Sequence, residues 1–127
     1  MNMENGFRIK GVLFDFDGTL TLPGALDFDE IRTAIGCPAG KSILGYIERI
    51  PDADRQKEIL TILDQFEMAG AERSKPNPDV EQVFRFLRSR KVPIGILTRN
   101  GLGPIQRALE NFSELDIADF QVVITRD

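Results

Sequence analysis

The segment Ile9-Lys10-Gly11-Val12-Leu13-Phe14-Asp15-Phe16-Asp17-Gly18 constrains this chain more than any other. Val12, Leu13 and Phe14 form an unbroken apolar run, the pattern of a strand in a parallel sheet covered on both faces, and Gly18 breaks it. Residues 92–98 (VPIGILT) and 120–125 (FQVVIT) read as two further strands. A helical pattern precedes each of them. Asn77 reads as an N-cap with Pro78 in the first helical position, followed by an apolar face of Val80, Val83, Phe84 and Leu87. Pro104 stands near the start of another helix, with Ile105, Leu109 and Phe112 facing inward. Strands alternating with helices imply an α/β fold with a Rossmann-like parallel sheet.

One block interrupts that alternation. Between the first strand and Lys75-Pro76-Asn77-Pro78, which reads as a linker, the periodicity is helical throughout. Asp27 and Glu30 fit a capping box for a helix over 27–36, with Phe28, Ile31 and Ile35 on one face and Gly36 as its stop. A second helix over 42–50 aligns Ile43, Ile47 and Ile50 and stops at Pro51. Asp52 caps a third that runs to about Ala69, with Ile59, Leu63 and Phe66 as its stripe. The expected organisation is an α/β core from residues 1–21 and 76–127, with a small all-helical cap at 22–75 inserted after the first strand.

Composition narrows the chemistry. There is no histidine, which removes histidine triads, histidine nucleophiles and histidine metal sites, and the single cysteine, Cys37, leaves no internal disulfide. Catalysis must then run on carboxylates, lysines, hydroxyls and backbone amides, and a metal should be a hard, oxygen-liking ion such as Mg²⁺. A net charge of −4 with no basic stripe argues against nucleic acid as a partner. No apolar run is long enough for a bilayer and the N-terminus has no signal-peptide core, so no membrane partner and a cytoplasmic location are expected.

Asp15-Phe16-Asp17-Gly18-Thr19 follows the first strand, at the sheet edge where open α/β folds bind ligands. An aspartate is already an anion at neutral pH and needs no base to act as a nucleophile. Attack of Asp15 on phosphorus would give an acyl-phosphate for water to hydrolyse. Two anions repel, so a divalent cation must bridge them. Asp17 is near enough to protonate the leaving oxygen and then to activate water. Gly18 permits close backbone approach to a phosphate, and the Gly18 and Thr19 amides can form an anion nest. The competing reading is a solvated Asp-Gly turn, disfavoured by the strand before it and the threonine after it.

LFDFDGTL resembles the first motif of the haloacid dehalogenase superfamily, Asp-x-Asp-Gly-Thr after an apolar strand. The resemblance, of phosphoglycolate-phosphatase type with a small helical cap, implies a phosphatase acting on a small phosphate monoester. It makes Asp15 the nucleophile and a Mg²⁺ ligand, and Asp17 the general acid/base and a Mg²⁺ ligand through its carbonyl. An acid at position 17 favours the phosphatase and phosphomutase branches, and a sugar phosphomutase remains the close variant. Thr98 in GILTRN matches the family's second motif, a hydroxyl on the phosphoryl oxygen, with Arg99 and Asn100 as further phosphate contacts. Lys41 and Arg49 read as solvated surface charges. Lys75 looks like the family's third-motif lysine, but it precedes Thr98 and is assigned to the linker.

The family continues after the third strand with that lysine, another strand and an acidic pair completing the Mg²⁺ site. Against that pattern the chain looks C-terminally truncated. It is expected to bind metal weakly, to be nearly inactive alone, and either to self-associate through the edge of strand 9–15 or to fold only marginally. The alternative reading is a non-catalytic truncated domain that binds phosphate or a partner without turnover.

Overall fold

The computed structural model describes residues 8–127. Three short strands, β1 (Val12–Phe14), β2 (Ile94–Leu97) and β3 (Val122–Ile124), form a parallel sheet in the order β1-β2-β3. Val12 pairs with Ile94 and Phe14 with Ile96, while Gly95 pairs with Val122 and Leu97 with Ile124. The expected α/β parallel architecture is therefore present. The strands are shorter than their apolar runs, because backbone pairing ends where Asp15 and Thr98 turn into loops.

Two crossover helices follow the sequence pattern. α4 (Val80–Ser89) turns Phe84 and Leu87 inward, and α5 (Leu102–Leu109) does so with Ile105, Ala108 and Leu109. These residues pack with Phe16, Ile94, Ile96 and Phe120 into the main apolar core, where Phe84 meets Phe14 and Phe120 edge-on at 5.0 and 5.7 Å. The other face of the sheet is bare among the described residues. Leu13, Leu97, Val122 and Ile124 point outward from it, Leu13 being 58% exposed. Gly95 lies on this face. A Cβ there would meet Val122 Cγ1 at 2.6 Å and Leu13 Cδ2 at 2.8 Å, so its neighbours close over it.

Asn77 does not cap α4. The N-cap is Asp79, in the left-handed region at φ 71° and without a side-chain cap bond. The Asn77 side chain instead donates to the Thr19 carbonyl at 3.0 Å, and its backbone N–H donates to the Leu20 carbonyl at 2.8 Å. Leu22 N–H donates to the Lys75 carbonyl at 2.8 Å, and Thr21 bridges Pro76. Together these bonds close a neck where the chain leaves the core and returns.

Beyond the neck stand α1 (Phe28–Ile35), α2 (Ile43–Glu48) and α3 (Ala53–Arg73), with no strand among them. Asp27 accepts from Glu30 N–H at 3.1 Å, Ser42 from Gly45 N–H at 3.1 Å, and Asp52 from Asp54 N–H at 3.0 Å, so each helix begins on a side-chain cap. Gly36 ends α1 at φ 77°. Ile31, Ile35, Ile47, Ile59 and Leu63 make a second apolar cluster. Phe28 departs from the expected stripe and belongs to neither cluster. α3 also runs one turn past its expected end. Gly70 lies against Leu26, where a Cβ would come within 2.7 Å of Leu26 Cδ2, and Ala71 joins the main core. Tertiary packing thus outweighs the helix-weakening glycine.

Candidate active site

β1 and β2 end side by side, so their carboxyl ends deliver Asp15, Asp17, Thr98, Arg99 and Asn100 to one cleft of about 510 Å³. The insert supplies the opposite wall. Asp15 Oδ1 accepts the Phe16 N–H at 2.9 Å, which fixes the carboxylate at the strand terminus. Thr98 Oγ1 accepts the Asn100 N–H at 3.1 Å, leaving the hydroxyl proton able to point into the cleft.

Asn100 is buried, and both ends of its amide are used. Oδ1 accepts the Gly101 N–H at 2.7 Å and Nδ2 donates to Asp17 Oδ2 at 3.1 Å. This alters one expectation: the Asn100 side chain holds Asp17 rather than standing free for phosphate. Partial burial in the cleft pushes the Asp17 carboxyl above its ordinary value. The Asn100 amide pulls the other way, and the Asp15 charge adds to the rise. Unlike surroundings that push one carboxyl of a pair upward are the condition under which one can serve as acid and the other as nucleophile.

Gly18 and Thr19 do not join this cleft. Gly18 N–H donates to Thr21 Oγ1 at 3.2 Å and Thr19 N–H to the Phe16 carbonyl at 3.2 Å. The Asp-Gly turn uses these amides to build the neck, so the expected anion nest is occupied by the protein's own acceptors. Gly18 does adopt the left-handed backbone that the turn requires, at φ 78°. Lys75 is exposed at the neck, and Lys41 and Arg49 border a separate shallow hollow; none of the three lines the cleft.

Two cleft residues escaped the sequence reading. Arg126, just beyond β3, donates from Nη1 to Glu67 Oε2 at 2.9 Å and from Nη2 to Glu67 Oε1 at 2.6 Å. It also reaches Asp64 Oδ1 at 2.8 Å and the Arg99 carbonyl at 3.1 Å. Its own N–H donates to the Asn100 carbonyl at 3.0 Å. One guanidinium therefore joins α3 to the loop that carries Thr98 and Asn100. Burial pushes the Glu67 carboxyl up, against the pull of Arg126, with Asp64 and Asp17 adding to the rise. The sequence held signals for both residues. Arg126 stands at a strand's carboxyl end like Asp15 and Thr98. Glu67 sits four residues after Leu63, an acid on the buried face of α3. Asp127 serves the next element, accepting the Leu102 N–H at 2.6 Å where Gly101 offers α5 no capping side chain.

Asp15 and Asp17 present hard oxygen donors at one place, which suits Mg²⁺. Among the described residues no group of three or more acids, cysteines or histidines gathers to hold a cation. The fit is therefore that of a two-aspartate partial site. Among the described residues, no helix is long and apolar enough to cross a membrane.

A family model described as haloacid dehalogenase-like hydrolase matches residues 9–127. An uncharacterized hydrolase of Saccharomyces cerevisiae is 30% identical over 121 residues, a match covering 94% of this chain and 56% of that protein. Among solved structures, a hydrolase from Pseudomonas syringae superposes with a TM-score of 0.65 at 19% identity, covering 93% of this chain and 60% of that one. A predicted phosphoglycolate phosphatase from Haemophilus somnus superposes at 0.62 with 16% identity, covering 94% and 63%. At these identities the structural likeness speaks for the fold. The chain spans about half the length of the curated relatives it matches.

Proposed function

This chain belongs to the haloacid dehalogenase-like hydrolases, and from that premise we propose that it carries the nucleophile and acid/base half of a Mg²⁺-dependent phosphomonoesterase working through an aspartyl-phosphate. The observation carrying this reading is the Asp15–Asp17 pair in one cleft with Thr98, Asp17 being held by Asn100 and its carboxyl pushed upward.

In the first half-reaction an Asp15 carboxylate oxygen attacks phosphorus, the P–O bond to the leaving group breaks, and Asp17 gives its proton to the departing oxygen. In the second, the Asp17 carboxylate takes a proton from water, whose oxygen attacks phosphorus. Asp15 is released as carboxylate, together with inorganic phosphate. The Thr98 hydroxyl donates to a phosphoryl oxygen whose charge grows in the transition state, and exposed Arg99 adds positive charge at the cleft mouth. When bound, Mg²⁺ offsets the repulsion between Asp15 and the phosphate; the Asp15 carboxylate and the Asp17 carbonyl would hold it. The substrate is a small phosphate monoester, to which Asn100 contributes indirectly by orienting the acid.

The test is intermediate trapping. Brief incubation with 4-nitrophenyl phosphate and Mg²⁺, acid quenching and peptide mass spectrometry should find an added phosphoryl group on Asp15. Asp15→Asn should show no adduct and no turnover, with an unchanged circular dichroism spectrum. An adduct elsewhere, or turnover surviving Asp15→Asn, would refute the covalent mechanism.

A further inference from the structure

Phe28 opens α1 with 52% of its surface exposed and packs into neither apolar cluster. This ring stands on the wall facing Asp15 and Asp17. It also borders the smaller hollow beside Gly18 and Leu22. Around it the insert's wall is formed by Leu26, Ile43 and Leu44, all half-buried. The polar side chains the insert adds to the cleft are Ser42, Arg32 and Glu67, the last already taken by Arg126.

Two of the cleft's three cations are already engaged. Arg32 donates from Nε to the Lys41 carbonyl at 3.0 Å and from Nη1 to Asp29 at 3.3 Å. Arg126 is held by Glu67 and Asp64. Arg99, on the core side, makes no side-chain hydrogen bond or ion pair among the described residues. The cleft therefore has a polar floor suited to one phosphate and an apolar wall with little to offer a second anion or a row of hydroxyls. Hydroxyls taken from water without partners are penalised, whereas an apolar leaving group gains by covering the ring.

Resting on the phosphomonoesterase reading, we propose that the Phe28–Leu26–Ile43–Leu44 wall selects monophosphates whose leaving group presents an apolar face, over polyhydroxylated or bisphosphorylated ones. A cleft of about 510 Å³ is in the range of small-molecule sites and leaves room for such a group above the phosphate. Phe28 is then a specificity-determining residue.

Phosphonates test this, because their C–P bond survives and binding is read without turnover. In the presence of Mg²⁺, the chain is titrated with inorganic phosphate, benzylphosphonate and 2,3-dihydroxypropylphosphonate, following backbone amide shifts by NMR. Benzylphosphonate should bind at least about tenfold more tightly than the dihydroxypropyl compound, the order of selectivity a small apolar increment supplies in a pocket. Its shifts should extend from Thr98 and Asn100 to Phe28 and Ile43. Phe28→Gln, an exposed change that leaves both cores intact, should reduce the preference severalfold. Equal affinities, or a preference unmoved by Phe28→Gln, overturn the proposal while leaving the phosphatase reading standing. If inorganic phosphate and both phosphonates leave Thr98 and Asn100 unshifted, the phosphatase reading fails and this proposal falls with it.

Discussion

Replacing Arg126 with methionine removes the cation that ties α3 to the site loop and strands a carboxylate. The Glu67 side chain is 7% exposed and receives both guanidinium nitrogens, whereas Asp64 is 61% exposed and contributes little. Breaking a fully buried pair from one side costs roughly 3–5 kcal/mol, mostly the penalty of the abandoned charge. Arg126 keeps 18% of its side-chain surface in solvent, so Arg126→Met should cost about 2–4 kcal/mol, somewhat below the buried limit. The pH dependence gives the effect a signature. The folded-state carboxyl of Glu67 lies above its unfolded value of 4.5, so the folded state holds the proton more tightly. Stability from this group therefore rises as pH falls from above the folded value towards 4.5, and is absent at higher pH. Without Arg126 the folded value climbs further and the acid-side recovery grows. Urea denaturation of Arg126→Met should show a larger deficit at pH 8 than at pH 5.5. Adding Glu67→Gln should recover a large part of it in a double-mutant cycle. Equal deficits at both pH values, or no recovery with Glu67→Gln, would refute the stranded-charge account.

Three other outcomes are expected. Asn100→Ala removes the donor to Asp17 and the acceptor for Gly101 N–H; it should lower kcat, raise the pKa that Asp17 contributes to the pH–rate profile and lower stability by about 1–3 kcal/mol, measured by steady-state kinetics and denaturation. The rise follows because the Asn100 bond is what holds the Asp17 carboxyl down against burial and Asp15. Gly95→Ala forces a Cβ to within 2.6 Å of Val122 Cγ1, and should cost about 1–3 kcal/mol in urea titration as the strands part to admit it. The sheet face of Leu13, Leu97, Val122 and Ile124, uncovered among the described residues, should drive self-association; Leu13→Lys with Ile124→Lys should shift sedimentation toward monomer, and an unchanged distribution would assign any association to another surface.

Local signals in the chain were enough for the architecture and for the floor of the site. A continuous apolar run ending in Asp15-Phe16-Asp17-Gly18, and a second ending at Thr98, place both motifs at one sheet edge, because parallel strands share their carboxyl ends. Helix starts at Asp27 and Asp52 were legible because capping is a local bond between residues two or three apart. Tertiary structure decided whatever depends on contacts across long sequence separations. Asn77 serves the neck, 58 residues from Thr19, rather than its own helix. Asn100 grips Asp17 across 83 residues, and Arg126 pairs with Glu67 across 59. Gly18 and Thr19 spend their amides on the turn instead of a ligand. Phe28 shares the helical period of Ile31 and Ile35, yet it lies one turn nearer the cleft, where the insert's own core ends and an apolar side chain is left facing the Asp15 and Asp17 carboxylates. Periodicity reports which side of a helix is apolar; only the packed structure shows what that side meets.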